Sequence, residues 1–291
     1  MYTLSKEKQT ALKEITTRLK GIKGIQAVVL GGSYAAGRAH EKSDLDLGLY
    51  YREDNPFEIE DIRSFVKDIS FNENPVVTGF YDWGPWVNGG AWMETKVGKV
   101  DFIYRNTNQV QKVIDDAGEG KWHHSYDQQP PFGFRSTIYL AEIECSQILF
   151  DNSNVLTHLK EQVRTYPEKL YQTIVGDCLW LAEFTLQQSA SSALLGDVYS
   201  VVGDITRALN YIVQALFALN KKYQIGDKHA ISIVETFEKK PSNFKQRVQK
   251  LLASPGLLTH ELTAATKELT SIWLETVYLT NGVYNPKFTL H

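Results

Sequence analysis

The sequence predicts an α+β protein, with a mixed-sheet domain at the N-terminus followed by an all-α helical bundle. Three observations lead there. Across residues 1–118, helical and alternating apolar spacings succeed one another, as a sheet with covering helices requires. From residue 135 onward nearly every segment has helical period. Between these stretches, residues 119–134 hold Gly120, Gly133 and the Pro130-Pro131 pair, the composition of a linker. The expected division is a first domain over 1–118, a linker over 119–134 and a helical domain over 135–291.

The elements follow in order. Leu12, Ile15, Leu19 and Ile22 make residues 5–22 an amphipathic helix that Gly24 ends. IQAVVL (25–30) is a short apolar, partly β-branched run and reads as a buried strand. After a Gly-Gly-Ser turn, SDLDLGLYY (43–51) alternates as a half-buried strand does. Residues 57–69 form a helix burying Ile62, Phe65, Val66 and Ile69, and VVTGFY (76–81) is a further strand. AWMETKV and KVDFIYR flank Gly98 as a hairpin, and a short helix carries Val110, Val113 and Ile114. In the second half, helices are expected over 135–150, 155–163, 167–189, 197–222, 228–239, 241–253 and 257–280. Pro167, Gly196, Gly226, Pro241 and Pro255-Gly256 separate them.

Composition narrows the function. The chain has 291 residues, 43% apolar and 22% charged, which excludes a disordered or fibrous protein. With 31 Lys+Arg against 34 Asp+Glu the net charge is −3, so a nucleic-acid partner is disfavoured. No run of 18 apolar residues and no apolar leader segment are present, so neither a membrane span nor a signal peptide is expected. Cys145 and Cys178 are too few for a disulfide framework or a four-cysteine zinc site. A reducing, cytoplasmic setting is the expectation.

Chemistry concentrates in LGGSYAAGRAHEKSDLDLGLY, residues 30–50. A Gly-Gly-Ser turn between strand and helix aims backbone N–H groups outward, where they attract phosphate oxygens. Gly31 and Gly32 permit close approach, and Ser33 offers a hydroxyl to a phosphate or serves as a plain N-cap. Asp44 and Asp46, two apart on a strand, face one way, while Leu45, Leu47 and Leu49 face the core. Paired carboxylates repel and gain nothing from packing, whereas a shared Mg²⁺ suits their hard oxygens. Asp101 interrupts the later apolar strand; beside the Asp44 strand it completes a trio able to hold two Mg²⁺. Arg38 and Lys42, between turn and Asp pair, are candidates to neutralise a triphosphate or are solvated surface charges.

Gly-Ser, a gap of about ten residues and Asp-x-Asp, over residues 31–46, resemble the signature of the DNA polymerase beta superfamily of nucleotidyltransferases. Asp101 matches that family's later carboxylate, and the two-part layout is similar to the aminoglycoside and lincosamide nucleotidyltransferases. The resemblance implies a phosphorus-group transferase that moves a nucleoside monophosphate from an NTP, with ATP the expected donor, to an acceptor hydroxyl. It implies Asp44, Asp46 and Asp101 as catalytic metal ligands, two Mg²⁺ (Mn²⁺ substituting), and Gly31, Gly32 and Ser33 on the phosphates. The expected acceptor is a small hydroxylated molecule, then a protein, as for an AMP-transferring or antitoxin-like partner. Homodimerisation is compatible with such two-domain transferases. The rival from another class is a nucleotide-binding regulatory protein without turnover.

Other residues carry two readings each. Lys228, at a helix start, is a candidate nucleotide contact or a surface lysine. Asp101 could instead be a strand carboxylate paired with Arg105 or Lys99. Trp83, Trp86 and Trp92 form a Trp-rich loop suited to core packing or to stacking on a ring. His123 and His124 lack further ligands for zinc. Glu142, Glu144, Glu183, Asp197 and Asp204 are candidates for a general base, among which sequence does not choose.

Overall fold

The computed structural model describes residues 4–290. The chain forms two compact units. The first holds the described residues up to Asp115 with His124–Gln129 and Gly133–Thr165; the second holds Asp116–His123, Pro130–Phe132 and the chain from Tyr166.

In the first unit, helix α1 (Lys6–Leu19) starts at Ser5, whose hydroxyl accepts from the Lys8 amide at 3.2 Å. There follow β1 (Ile25–Leu30), the single turn α2 (Gly32–Ala35), β2 (Leu45–Tyr51), α3 (Ile59–Ile69), β3 (Val76–Val77), β4 (Gly90–Thr95) and β5 (Gly98–Asn106). Next come α4 (Thr107–Gly118), the two-residue strands β6 (His124–Ser125) and β7 (Phe134–Arg135), α5 (Thr137–Cys145), β8 (Gln147–Asp151) and α6 (Val155–Val163). Six strands make one mixed sheet in the order β3-β4-β5-β2-β1-β8, in which β2 and β5 run parallel.

The alternation along β2 sorts the two faces of the sheet. Leu45, Leu47 and Leu49 join Val100, Phe102 and Tyr104 of β5 under Leu12, Ile15 and Leu19 of α1 and Ile62, Phe65 and Val66 of α3. Burying each such side chain contributes roughly 1.5–3 kcal/mol. On the opposite face α5 meets the end of β5. There the buried Arg105 guanidinium donates twice to the Glu142 carboxylate, at 2.7 Å each, and lies over the Tyr139 ring. Asp46 and Asp101 occupy that second face nearer the start of β2.

Several elements differ from expectation for one reason, the demand of the sheet. Residues 135–150 are not one helix, because Gln147–Asp151 leave α5 and pair with the free edge of β1. The first unit therefore extends well past residue 118, and the segment expected as a linker holds β6 and ends inside its partner β7. VVTGFY contributes only Val76–Val77 as strand; Tyr81 then turns at φ 62°. The expected helix over 228–239 shrinks to Ala230–Val234.

The second unit is helical: α7 (Glu168–Leu194), α8 (Val198–Leu219), α9 (Ala230–Val234), α10 (Phe244–Ala253) and α11 (Thr259–Tyr278). Asp197 caps α8, accepting from the Ser200 amide at 3.1 Å. Trp273 of α11 is buried and donates to the Leu179 carbonyl of α7 at 3.1 Å. Glu183, fully buried on α7, accepts from the Tyr284 hydroxyl and from the amides of Lys287 (2.7 Å) and Phe288 (2.5 Å). Among the described residues no helix is long and apolar enough to cross a membrane.

The Arg105–Glu142 pair makes a test of how α5 is held. Arg105→Met strands a partly covered carboxylate, so urea denaturation should show a loss of about 2–4 kcal/mol. The double variant Arg105→Met/Glu142→Leu should recover most of it.

Candidate active site

The site is built on one ladder. β2 and β5 pair in parallel register with Asp46 opposite Asp101, which turns both side chains to the same face. Asp44 lies just ahead of β2, two residues from Asp46. Lys99, two residues before Asp101, places its ammonium 3.1 Å from Asp101 Oδ2 and 3.6 Å from Asp44 Oδ2. The structure thus brings the three sequence-predicted carboxylates to one patch with a lysine among them.

The Gly-Gly-Ser turn closes onto this patch from β1. The Gly31 amide donates to the Asp46 carbonyl at 2.8 Å, fixing the turn to β2. Gly32 has φ +55°, and a Cβ there would stand 1.8 Å from Asp46 Oδ2. The glycine is required twice over, by its left-handed backbone and by the carboxylate resting against its Cα. Ser33 lies inside α2, whose N-cap is Gly31, so the plain N-cap reading of Ser33 fails. The following loop is anchored by Lys8, which donates to the Ser43 carbonyl at 2.7 Å and the Tyr34 hydroxyl at 3.1 Å. Arg38 and Lys42 are exposed on that loop, and Lys228 is exposed in the turn before α9 of the second unit.

Asp101 is buried, and its Oδ1 has no hydrogen-bond partner. A buried carboxylate oxygen left open is costly unless something binds it. Burial pushes the Asp101 carboxyl above the usual aspartate range, against the pull of Lys99. For Lys99, burial opposes the charge, but Asp101 and Asp44 outweigh it and hold the ammonium above the ordinary lysine value. Among the described residues no group of three or more His, Cys, Asp or Glu is drawn together closely enough to hold a metal ion. The Lys99 ammonium supplies the positive charge between Asp44 and Asp101. The donor set nevertheless fits a hard divalent cation: carboxylate oxygens only, one buried and unpartnered.

Three of the five acidic candidates for a general base have different work. Glu142 belongs to the first unit and pairs with Arg105; Glu183 anchors residues 284–288; Asp197 caps α8. Of the two partners weighed for Asp101, Lys99 is the one in contact, since Arg105 binds Glu142. Sequence reasoning missed Lys8, which is one lysine among many on α1. It also missed that Lys99 reaches Asp44 as well as Asp101; the i, i+2 spacing of Lys99 and Asp101 on a strand was the available signal.

Two outcomes check this geometry. Gly32→Ala should lower stability by roughly 1–2 kcal/mol from its backbone alone, read by thermal unfolding, and should displace the Asp46 carboxylate. Asp101→Asn tests the raised carboxyl. A raised acid stabilises the fold below its unfolded value, near 4, and that contribution is lost as pH climbs through the raised value. The urea midpoint of Asp101→Asn should therefore gain on that of the natural protein as pH rises from about 4 to 7. A pH-independent gap would show that Asp101 does not titrate this way.

Two family models match separate stretches of this chain. Residues 13–78 match the family described as Polymerase beta, Nucleotidyltransferase, and residues 136–229 match a domain family of unknown function, DUF4037. The first match spans the Gly-Gly-Ser turn and the Asp pair. A search of curated proteins finds no match. Among solved structures, a nucleotidyltransferase-like protein from Exiguobacterium sibiricum 255-15 aligns over 94% of this chain and 77% of its own, at 11% identity and TM-score 0.48. Residues 13–78, and with them the Gly-Gly-Ser turn and the Asp pair, are thus similar to the Polymerase beta nucleotidyltransferase family.

Proposed function

We propose that the protein transfers a nucleoside monophosphate from an NTP, ATP first, to the hydroxyl of a small acceptor. The observation that carries the reading is the register of Asp46 against Asp101 with the Gly31–Ser33 turn lying on Asp46. It puts an anion-attracting turn directly beside an acidic patch, a pairing of opposite tendencies that packing alone does not reward.

The residues divide the work. The amides of the Gly31–Ser33 turn and the Ser33 hydroxyl receive the β- and γ-phosphates. Arg38 and Lys42 offset polyphosphate charge from the exposed loop. Asp44, Asp46 and Asp101 would hold divalent cations, Mg²⁺ by their oxygen chemistry, which when bound supply charge neutralisation at the reacting phosphate. Asp101, its carboxyl raised by burial, takes the proton of the acceptor hydroxyl in this reading. The hydroxyl oxygen forms a bond to the α-phosphorus, the bond from the α-phosphorus to the bridging oxygen breaks, and pyrophosphate leaves with that electron pair.

The test is label transfer from [α-³²P]ATP with Mg²⁺ across panels of hydroxylated acceptors, with pyrophosphate release measured in parallel. Asp44→Asn and Asp46→Asn should each lower transfer at least about a hundredfold, since each removes a carboxylate that would hold the divalent cation. Transfer unchanged in both variants would overturn the mechanism. Tight NTP binding without pyrophosphate release, whatever the acceptor, would make the domain a nucleotide sensor.

A further inference from the structure

The Trp-rich loop between β3 and β4 takes no part in the steps above, yet it is fastened with unusual care. Tyr81 and Asn88 adopt φ 62° and 58°, a region non-glycine residues rarely enter. Asn88 is fully buried; it donates to Gln109 at 2.8 Å and accepts from the Asn106 amide at 3.1 Å. The Tyr139 hydroxyl donates to the Trp86 carbonyl, and Arg105 donates to the Val87 carbonyl at 3.1 Å. Gln128 spans the loop, donating to the Trp83 carbonyl and accepting from the Trp86 amide at 3.2 Å.

This bracing presents one side chain. Trp83 lies flat on Trp92, with ring centroids 4.3 Å apart and planes 22° apart, and remains 47% exposed. Trp92 stands opposite Asp101 in the β4–β5 ladder, so the indole pair rises from the strand next to Asp101 and on its face. The Gly31–Ser33 turn lies across β2, on the other flank of the carboxylates. An exposed indole adds little to a core, whereas a rigid aromatic surface held ready is how proteins bind flat rings. The charge nearby selects further. The exposed Glu94, opposite Lys99 in the ladder, and an NTP bound beside the carboxylates would both add negative charge near the ring, so an anionic ring is repelled.

We propose that Trp83, backed by Trp92, is a stacking platform for the acceptor, and that the acceptor carries an uncharged flat ring beside its hydroxyl. This rests on the transfer reading for the word acceptor, not for the platform itself. The test uses the full chain with Mg²⁺ and a non-hydrolysable ATP analogue, and reads saturation transfer by NMR. The probes are phenyl β-D-glucopyranoside, methyl β-D-glucopyranoside and phenyl phosphate. The phenyl glucoside should receive saturation through its ring protons, and the other two should bind more weakly. Trp83→Ala should weaken the phenyl glucoside about fivefold or more, while Trp83→Phe keeps most of its binding and the ATP analogue binds both variants as before. Equal binding of the phenyl and methyl glucosides, or unchanged binding in Trp83→Ala, overturns the platform. Ring binding without binding of the ATP analogue upholds the platform and removes the transfer reading instead.

Discussion

The parallel pairing of β2 with β5 is the constraint on which the rest of the first unit depends. Register places Asp46 beside Asp101, and two ionised carboxylates at such range repel with an energy of order 1–4 kcal/mol in partly solvated surroundings. The fold meets that repulsion with Lys99 and with burial that favours the protonated form of Asp101. As structure alone the patch is unfavourable, and a lysine charge rather than packing offsets it. The apolar face behind it, from Leu45 to Tyr104, supplies the stability that lets the front face remain acidic.

Much of this was legible from the residues alone. The alternation of Leu45, Leu47 and Leu49 with Asp46 fixed which side chains meet the core, because the pleat has a period of two. The Gly-Gly-Ser turn stood out because glycine at a strand–helix junction implies a special backbone, and Gly32 does adopt positive φ. The pairing of distant strands was beyond local pattern. Asp101 reaches Asp46 only because β5 joins β2 in parallel, and nothing in KVDFIYR states its neighbour. The edge strand β8 was hidden for a related reason. QILFD follows helical text without a breaker, and only the open edge of β1 makes it a strand.

The two faces of the sheet also differ in how they are closed. Behind it lies continuous apolar packing from α1 and α3. In front, α5 is secured by the ionic pair of Arg105 with Glu142, and the same guanidinium reaches the Val87 carbonyl of the Trp-rich loop. One arginine therefore connects helix, strand and loop, so the position of the indoles and the seating of α5 are set by a shared group.

In the helical unit, the carboxylate of Glu183 has its oxygens taken up by Tyr284, Lys287 and Phe288. A chain shortened before Tyr284 would take away all three of these donors and leave a buried carboxyl on α7 without them. Residues 284–288 thus work as a plug for that carboxyl, and changes to them should be felt in the helices rather than locally.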